Sequence, residues 1–185
     1  MNVMLTSCGL ETKCIEQAFL AMLPKSPADI RALYIPTAAN DPDAIEVLPK
    51  CMNDLLKIGI ARENITVYDL YDAPKTPLAA FYDVIYFCGG STPYLLRRIR
   101  ERGFDKPLAE YIACDGVVLG VSAGSRIFAD DLPGNLGLLS CGLDVHCADD
   151  SCIRPGCYSV EREERIRLGN RQAILVKEDS LTVIE

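Results

Sequence analysis

Histidine occurs once, at position 146, in the 185 residues of this chain, so any chemistry that needs an imidazole has a single place to find one. Positive charge is also scarce: 19 Lys and Arg stand against 26 Asp and Glu, a net charge of −7. That balance excludes a nucleic-acid surface, because affinity for phosphate rests on clustered cations. The short run Arg97, Arg98, Arg100 and Arg102 reads as a solvated helix face. No stretch reaches the roughly 18 apolar residues that cross a bilayer. Met1 to Thr6 lack the basic region and long apolar run of a signal peptide. The expectation is a cytoplasmic protein with no membrane contact. Cysteine is plentiful at nine residues, but the number is odd and no Cys-x-x-Cys occurs, which fits reduced, mostly buried thiols. Without a low-complexity linker or repeat, residues 1–185 read as one domain, long enough to bury roughly 70% of the surface of its unfolded chain.

What is present is an alternation of apolar runs and helical patterns. Val3 to Thr6, Arg31 to Pro36, Ile65 to Asp69, Asp83 to Cys88 and Gly116 to Val121 read as strands. Between them, Ile15, Ala18, Phe19, Met22 and Leu23 repeat at helical spacing, as do Ile45, Leu48, Met52 and Leu55, with Asp41-Pro42 as a helix start. Thr92-Pro93 suits a second helix start, with Leu95, Leu96 and Ile99 facing inward, and Leu108, Tyr111 and Ile112 mark a further short helix. Strands alternating with helices in this way predict a mostly parallel sheet covered on both faces. Beyond it, Gly137 to His146 reads as short strands, Cys147 to Tyr158 as irregular, and Glu161 to Leu168 as a charged helix. Ala173 to Val176 and Leu181 to Ile184 read as a hairpin.

The chemistry concentrates where strands end, as it does in open α/β sheets. Gly120-Val121-Ser122-Ala123-Gly124 follows an apolar β-branched run. This is the pattern of a nucleophile elbow, in which a strained strand-to-helix turn lifts one hydroxyl above the sheet. Ser122 is the candidate nucleophile, and Gly120 and Gly124 leave the turn uncrowded. A serine hydroxyl needs a neighbouring base, and His146 is the one imidazole available. The Ala123 backbone N–H, at a helix N-terminus, and that of Gly90, in the Gly89-Gly90 turn, are candidate donors to a tetrahedral oxyanion.

Several stretches together resemble the dipeptidase E (alpha-aspartyl dipeptidase) family of serine peptidases. They are Phe87-Cys88-Gly89-Gly90-Ser91-Thr92-Pro93, Gly120 to Ser125, Gly137-Leu138-Leu139 leading to Leu143-Asp144-Val145-His146, and Arg162-Glu163-Glu164-Arg165-Ile166. The openings Leu5 to Leu10 and Tyr34 to Asn40 are similar to the same family. The resemblance implies a three-layer α/β fold, flavodoxin-like or class I glutamine amidotransferase-like, here with the C-terminal β-hairpin. It also implies a peptidase that removes an N-terminal aspartate from short peptides, with Ser122 as nucleophile, His146 as base, Gly90 and Ala123 at the oxyanion, and no metal or organic cofactor. The family places a carboxylate that orients the histidine between these two residues. That segment is short here, and Asp130 and Asp131 are the only acids between Ser125 and Asp144, so Asp131 is favoured; Asp144, Asp149, Glu161, Glu163 and Glu164 remain open. Ser91 departs from the family pattern, in which relatives often carry a third glycine.

Gripping an N-terminal aspartate calls for a cation, best an arginine. Arg165 and Arg154 lead the candidates, with Arg126 and Arg162 behind them. The expected partner is a short peptide substrate, and a second copy of the chain in a homodimer, or the segment from Cys147 to Tyr158, is left to shield the site. Two other readings compete. Cys141, His146, Cys147, Cys152 and Cys157 cluster in sequence as zinc ligands do, although their spacing fits no short knuckle. The chain could also be a catalytically inactive descendant that binds a small peptide.

Overall fold

The protein is described here from a computed structural model covering residues 1–72, 74–159, 165–177 and 180–185. Its elements in chain order are β1 (Asn2–Thr6), α1 (Lys13–Met22), β2 (Ala32–Ile35), α2 (Pro42–Glu46), α3 (Leu48–Lys57), β3 (Ile65–Val67), α4 (Leu78–Phe81), β4 (Val84–Phe87), α5 (Thr92–Glu101), α6 (Asp105–Ala113) and β5 (Val117–Val121). There follow α7 (Ala123–Arg126), β6 (Gly142–Asp144), β7 (Gly156–Ser159), β8 (Arg165–Arg167), β9 (Ala173–Lys177) and β10 (Ser180–Ile184).

The main sheet runs β3-β2-β4-β5-β1-β9-β10-β7. The first five of these pair in parallel, and the last three add antiparallel strands beyond β1. Period-two alternation sends successive residues to opposite faces. Val3 and Leu5, Leu33 and Ile35, and Ile85 and Phe87 join one core with Leu95, Leu96 and Ile99 of α5 and Leu108, Tyr111 and Ile112 of α6. Met4, Ala32, Tyr34, Val84, Tyr86 and Leu119 join the other with Ile15 and Phe19 of α1 and Cys51 and Leu55 of α3. Strands buried on both faces, with helices above and below, give the three-layer α/β fold expected from the alternation. The C-terminal hairpin forms from β9 and β10 in antiparallel register.

Three local expectations are corrected. The helix expected over Ile45 to Leu55 is two helices that break at Val47, because Pro49 in the first turn of α3 has no N–H to give to the Ile45 carbonyl. Ile45 is 52% exposed as a result, not buried. The helix expected over Glu161 to Leu168 is a strand at Arg165–Arg167, where exposed Arg165 and Arg167 flank buried Ile166 with a period of two and pair in parallel with β6; residues 161–164 lie outside the described residues. The irregular segment closes on β7, an edge strand with no apolar run to announce it, ordered by pairing with β10.

Asp83, just before β4, ties the edge of the sheet together. Its carboxylate accepts from the Arg31 backbone N–H at 2.8 Å and from Arg31 Nε at 3.1 Å, and it pairs with Lys25 at 2.9 Å. Burial would raise its pKa, but the Arg31 hydrogen bonds and Lys25 outweigh that and hold it down to about 2. Because the folded pKa lies below the ordinary value, Asp83 contributes stability at neutral pH that disappears as pH falls from about 4 through about 2. Chemical denaturation of the wild type and Asp83→Asn is expected to differ by about 1–2 kcal/mol at pH 6, and the difference should shrink as pH falls below about 4 and vanish only below about 2.

Candidate active site

The turn after β5 has the geometry that its glycines predict. Ser122 sits at φ 51°, ψ −111°, a conformation that a side-chain-bearing residue adopts only when its surroundings impose it. They do so here. The Ser122 N–H donates to the Thr6 carbonyl at 3.0 Å. The Ser125 hydroxyl donates to the same carbonyl at 2.7 Å and accepts from the Thr6 N–H at 2.9 Å, stapling the start of α7 to the end of β1. A Cβ at Gly124 would lie 2.5 Å from the Phe87 carbonyl oxygen, and one at Gly120 would lie 2.5 Å from that of Gly124. Only glycine lets strand and turn approach this closely.

His146 reaches Ser122 from the other direction. Parallel pairing of β6 with β8 sets Asp144 opposite Arg167, so the chain leaves both strands at the same end. His146, at φ 59°, lies two residues beyond one, and Asn170 three beyond the other. The Cys147 N–H to Leu168 carbonyl bond, at 3.0 Å, keeps the two exits together, and the His146 N–H donates to Ser7 Oγ at 2.7 Å. His146 Nε2 lies 2.9 Å from Ser122 Oγ, and His146 Nδ1 lies 2.8 Å from Asn170 Oδ1. An amide oxygen can only accept, so Nδ1 is the donor to Asn170, and in the Nδ1–H tautomer Nε2 accepts from the serine hydroxyl. The Cys8 thiol, kept protonated by burial, donates to the same amide oxygen at 3.3 Å.

The oxyanion candidates flank this pair. Ala123 is the first residue of α7, and its N–H has no acceptor among the described residues. In the glycine turn after β4, a Cβ at Gly89 would come within 3.2 Å of Ser122 Cβ. Gly90, at φ 133°, passes so close to Ala38 that a Cβ would lie 2.1 Å from its carbonyl oxygen. Ser91, the departure noted in the sequence, caps α5 by accepting from the Tyr94 N–H at 3.4 Å. A cavity of about 150 Å³ opens beside Ser122 and His146, bordered by Ser7, Cys8, Gly89 and Gly90 and walled by the α2–α3 corner.

Asp131 is not at the imidazole. Its carboxylate takes Arg165 at 2.8 Å and Arg126 at 3.6 Å. Asp144 turns to Arg165 at 2.7 Å and Arg167 at 3.9 Å, while Asp149 lies exposed in a 3₁₀ turn. Glu161, Glu163, Glu164 and Arg162 are outside the described residues. The position at Nδ1 belongs to Asn170, which a search for a carboxylate passes over; in sequence, Gly169-Asn170 reads only as turn chemistry. The arginines also stand elsewhere. Arg165 is held by its two aspartates, Arg126 Nε donates to the Leu143 carbonyl at 3.0 Å, and Arg154 is exposed and borders no part of the cavity. Lys50 is the cation on the cavity lining, and its ammonium is paired with Glu11. As for the zinc reading, both ring nitrogens of His146 are engaged by Ser122 and Asn170, and no group of three or more His, Cys, Asp or Glu among the described residues could hold a metal.

The family model described as peptidase family S51 matches residues 3–134, a span that takes in β1, both glycine turns and Ser122. The chain belongs to peptidase family S51. No curated protein sequence matches the chain. Among solved structures, a candidate peptidase E from Listeria monocytogenes EGD-e is similar with a TM-score of 0.74 and 19% identity, covering 100% of this chain and 98% of that one. A peptidase from an acI-B1 Actinobacterium is similar with a TM-score of 0.67 and 15% identity, covering 98% of this chain and 86% of that one. At these identities the likeness is one of fold, and it includes the segment beyond residue 134 that carries His146 and Asn170. Among the described residues, no helix of this S51 chain is long and apolar enough to cross a membrane.

Proposed function

We propose that this S51 protein is a serine-type peptidase that hydrolyses short peptides through an acyl-enzyme. Ser122 is its nucleophile, His146 its general base and acid, and Asn170 the residue that positions the imidazole. The observation that carries the reading is Ser122 Oγ at 2.9 Å from His146 Nε2, on a serine held at φ 51°. In the first step Oγ attacks the scissile carbonyl carbon while Nε2 takes the hydroxyl proton. The Gly90 and Ala123 N–H groups donate to the oxygen that becomes negative, each such donor being worth about 100- to 1000-fold in rate. The C–N bond then breaks, Nε2 returns the proton to the leaving amine, and an ester remains on Ser122. Water attacks the ester with its proton passing to Nε2, the acid leaves, and the hydroxyl is restored.

Asn170 keeps the proton on Nδ1 but, being neutral, adds no charge to stabilise the imidazolium. The aspartate preference implied by the family resemblance has no arginine to support it at this cavity among the described residues, so the proposal stops at short peptides. Ser7 and Cys8 hold His146 and Asn170 from the β1 side and belong to the same positioning frame.

The test is covalent. A fluorophosphonate should add one adduct, located on Ser122 by mass spectrometry, and Ser122→Ala should carry none. Failure to label Ser122 while the protein is folded would remove the nucleophile and leave the peptide-binding reading in its place.

A further inference from the structure

Ser7 and Cys8, which contact the His146 ring, lie in the bend that joins β1 to α1. A buried carboxylate on α3 holds that bend. Asp54 Oδ2 accepts from the Leu10 N–H at 3.2 Å. Lys57, one turn further along α3, donates to the Leu10 carbonyl at 2.5 Å and pairs with Asp54 Oδ1 at 3.5 Å. Both backbone polar groups of Leu10 are thus taken by two side chains of one helix. Gly9, at φ 87°, passes so close that a Cβ would lie 2.1 Å from Asp54 Oδ2. Its N–H donates to Thr6 Oγ1 at 2.9 Å, and the Thr6 hydroxyl donates to the Gly120 carbonyl at 3.1 Å. The bend is therefore clamped at one end to the strand that leads into Ser122, and at the other to α3.

Resting on the serine-peptidase reading, we infer that Asp54 is a positioning residue: it fixes the bend over residues 7–10 and, through Ser7 and Cys8, holds the His146 imidazole where Nε2 meets Ser122. Stability does not account for a carboxylate at this place. Asp54 is 4% exposed and shares the buried face of α3 with Cys51 and Leu55. Burial pushes its carboxyl up from the ordinary value, and the Tyr86 hydroxyl at 2.9 Å, the Leu10 N–H and Lys57 offset only part of that. A folded pKa above the unfolded one means that the ionised carboxylate lowers stability at pH values above both. At Asp83, by contrast, the hydrogen bonds outweigh burial. A well-packed apolar side chain would suit the buried face better. What the carboxylate supplies is an acceptor fixed at the bend, two residues from Cys8.

A bend free to shift would carry the catalytic base with it. Ser7 Oγ accepts from the His146 N–H at 2.7 Å, and Cys8 Sγ donates to Asn170 Oδ1 at 3.3 Å. His146 stands at φ 59°, a strained backbone that persists only while its neighbours impose it. Misplacing a reacting group by about 1 Å costs about 100-fold in rate, so a small movement of the bend is enough.

The experiment follows phosphonylation of Ser122 by a fluorophosphonate on the full chain, with folding checked by circular dichroism, and separates the maximal rate kinact from the probe affinity KI. Asp54→Ala is expected to lower kinact by about 10- to 100-fold, with KI changed by less than about threefold. Asp54→Asn keeps an acceptor for Leu10 and Tyr86 and is expected to hold kinact within about threefold of the wild type. In a Ser7→Ala/Cys8→Ala background the loss caused by Asp54→Ala should shrink to about threefold or less, because the path to His146 is already cut. A folded Asp54→Ala with wild-type kinact and only a lower melting temperature, or a loss that adds in full to that background, would overturn the inference and leave the peptidase standing. Should Asp54→Ala not fold, Gly9→Ala crowds the same contact from the side of the bend. Wild-type kinact in folded Gly9→Ala would equally overturn the inference. A wild type that takes no adduct on Ser122 would overturn the peptidase reading and this inference together.

Discussion

Replacing His146 by alanine is expected to lower kcat by about a million-fold, to the level of Ser122→Ala, and combining the two substitutions should lower it no further. A nucleophile and its base act as one unit, so removing either takes away the same step. The geometry makes the expectation unusually clean. The chain has one histidine, so no second imidazole can substitute, and His146 is an exposed residue whose ring, among the described residues, is held by Ser122, Asn170, Ser7 and Cys8. Its loss should therefore leave folding stability nearly untouched. Residual activity of about 10³- to 10⁴-fold over water should persist in both variants, because the Gly90 and Ala123 amides and the cavity remain. Single-turnover kinetics of the two single variants and the double variant would check this. A His146→Ala enzyme that retained more than a hundredth of wild-type kcat would mean that a different group deprotonates Ser122.

The second large effect falls on Asn170. Its amide oxygen lies 2.8 Å from His146 Nδ1, and in the proposed mechanism it sets the tautomer that leaves Nε2 to act as the base. Where the orienting group is a carboxylate, its loss costs about 10⁴-fold, part of it tautomer and part of it charge. Asn170 supplies only the first part, and Ser7 Oγ at 3.4 Å stands near Nδ1 as a weak substitute. Asn170→Ala is thus expected to lower kcat by about 100- to 1000-fold with little change in KM. Asn170→Asp should restore activity to wild type or above, since a carboxylate accepts the same hydrogen bond and also stabilises the imidazolium. Asn170 is exposed, so the alanine variant should melt as the wild type does. A purely structural asparagine would instead lose stability along with activity and would not be rescued by aspartate. Asp131→Ala provides the contrast: it breaks contacts to Arg165 and Arg126 and none to the imidazole, and should leave the Ser122–His146 chemistry intact.

Much of this was legible before any coordinates. The period-two strands alternating with helical repeats specify which residues enter the sheet, and burial on both faces follows from their continuous apolar character. The strained turn at Ser122 was legible because its requirements are local: a serine forced to positive φ, with Gly120 and Gly124 where a Cβ would strike backbone. His146 was legible by scarcity, since no other imidazole exists. Local pattern failed where pairing or punctuation overrode it: Arg165–Arg167 is a strand because β6 lies beside it, and Ile45 faces water because Pro49 interrupts the helix.

The residue at His146 Nδ1 could not be found from sequence at all. Asn170 lies 24 residues beyond His146 in the chain, and nothing in its neighbours distinguishes it from an ordinary turn asparagine. It arrives because two short parallel strands end together, whereas Asp131 and Asp144, nearer in sequence, are held by Arg126, Arg165 and Arg167 through charge-assisted contacts. The sequence by itself determined the sheet, the strained turn at Ser122 and the single imidazole, because each depends on contacts within a few residues or on composition. The tertiary structure alone decided what orients that base and what lines the cavity, because both depend on which strand ends and helix corners meet in space.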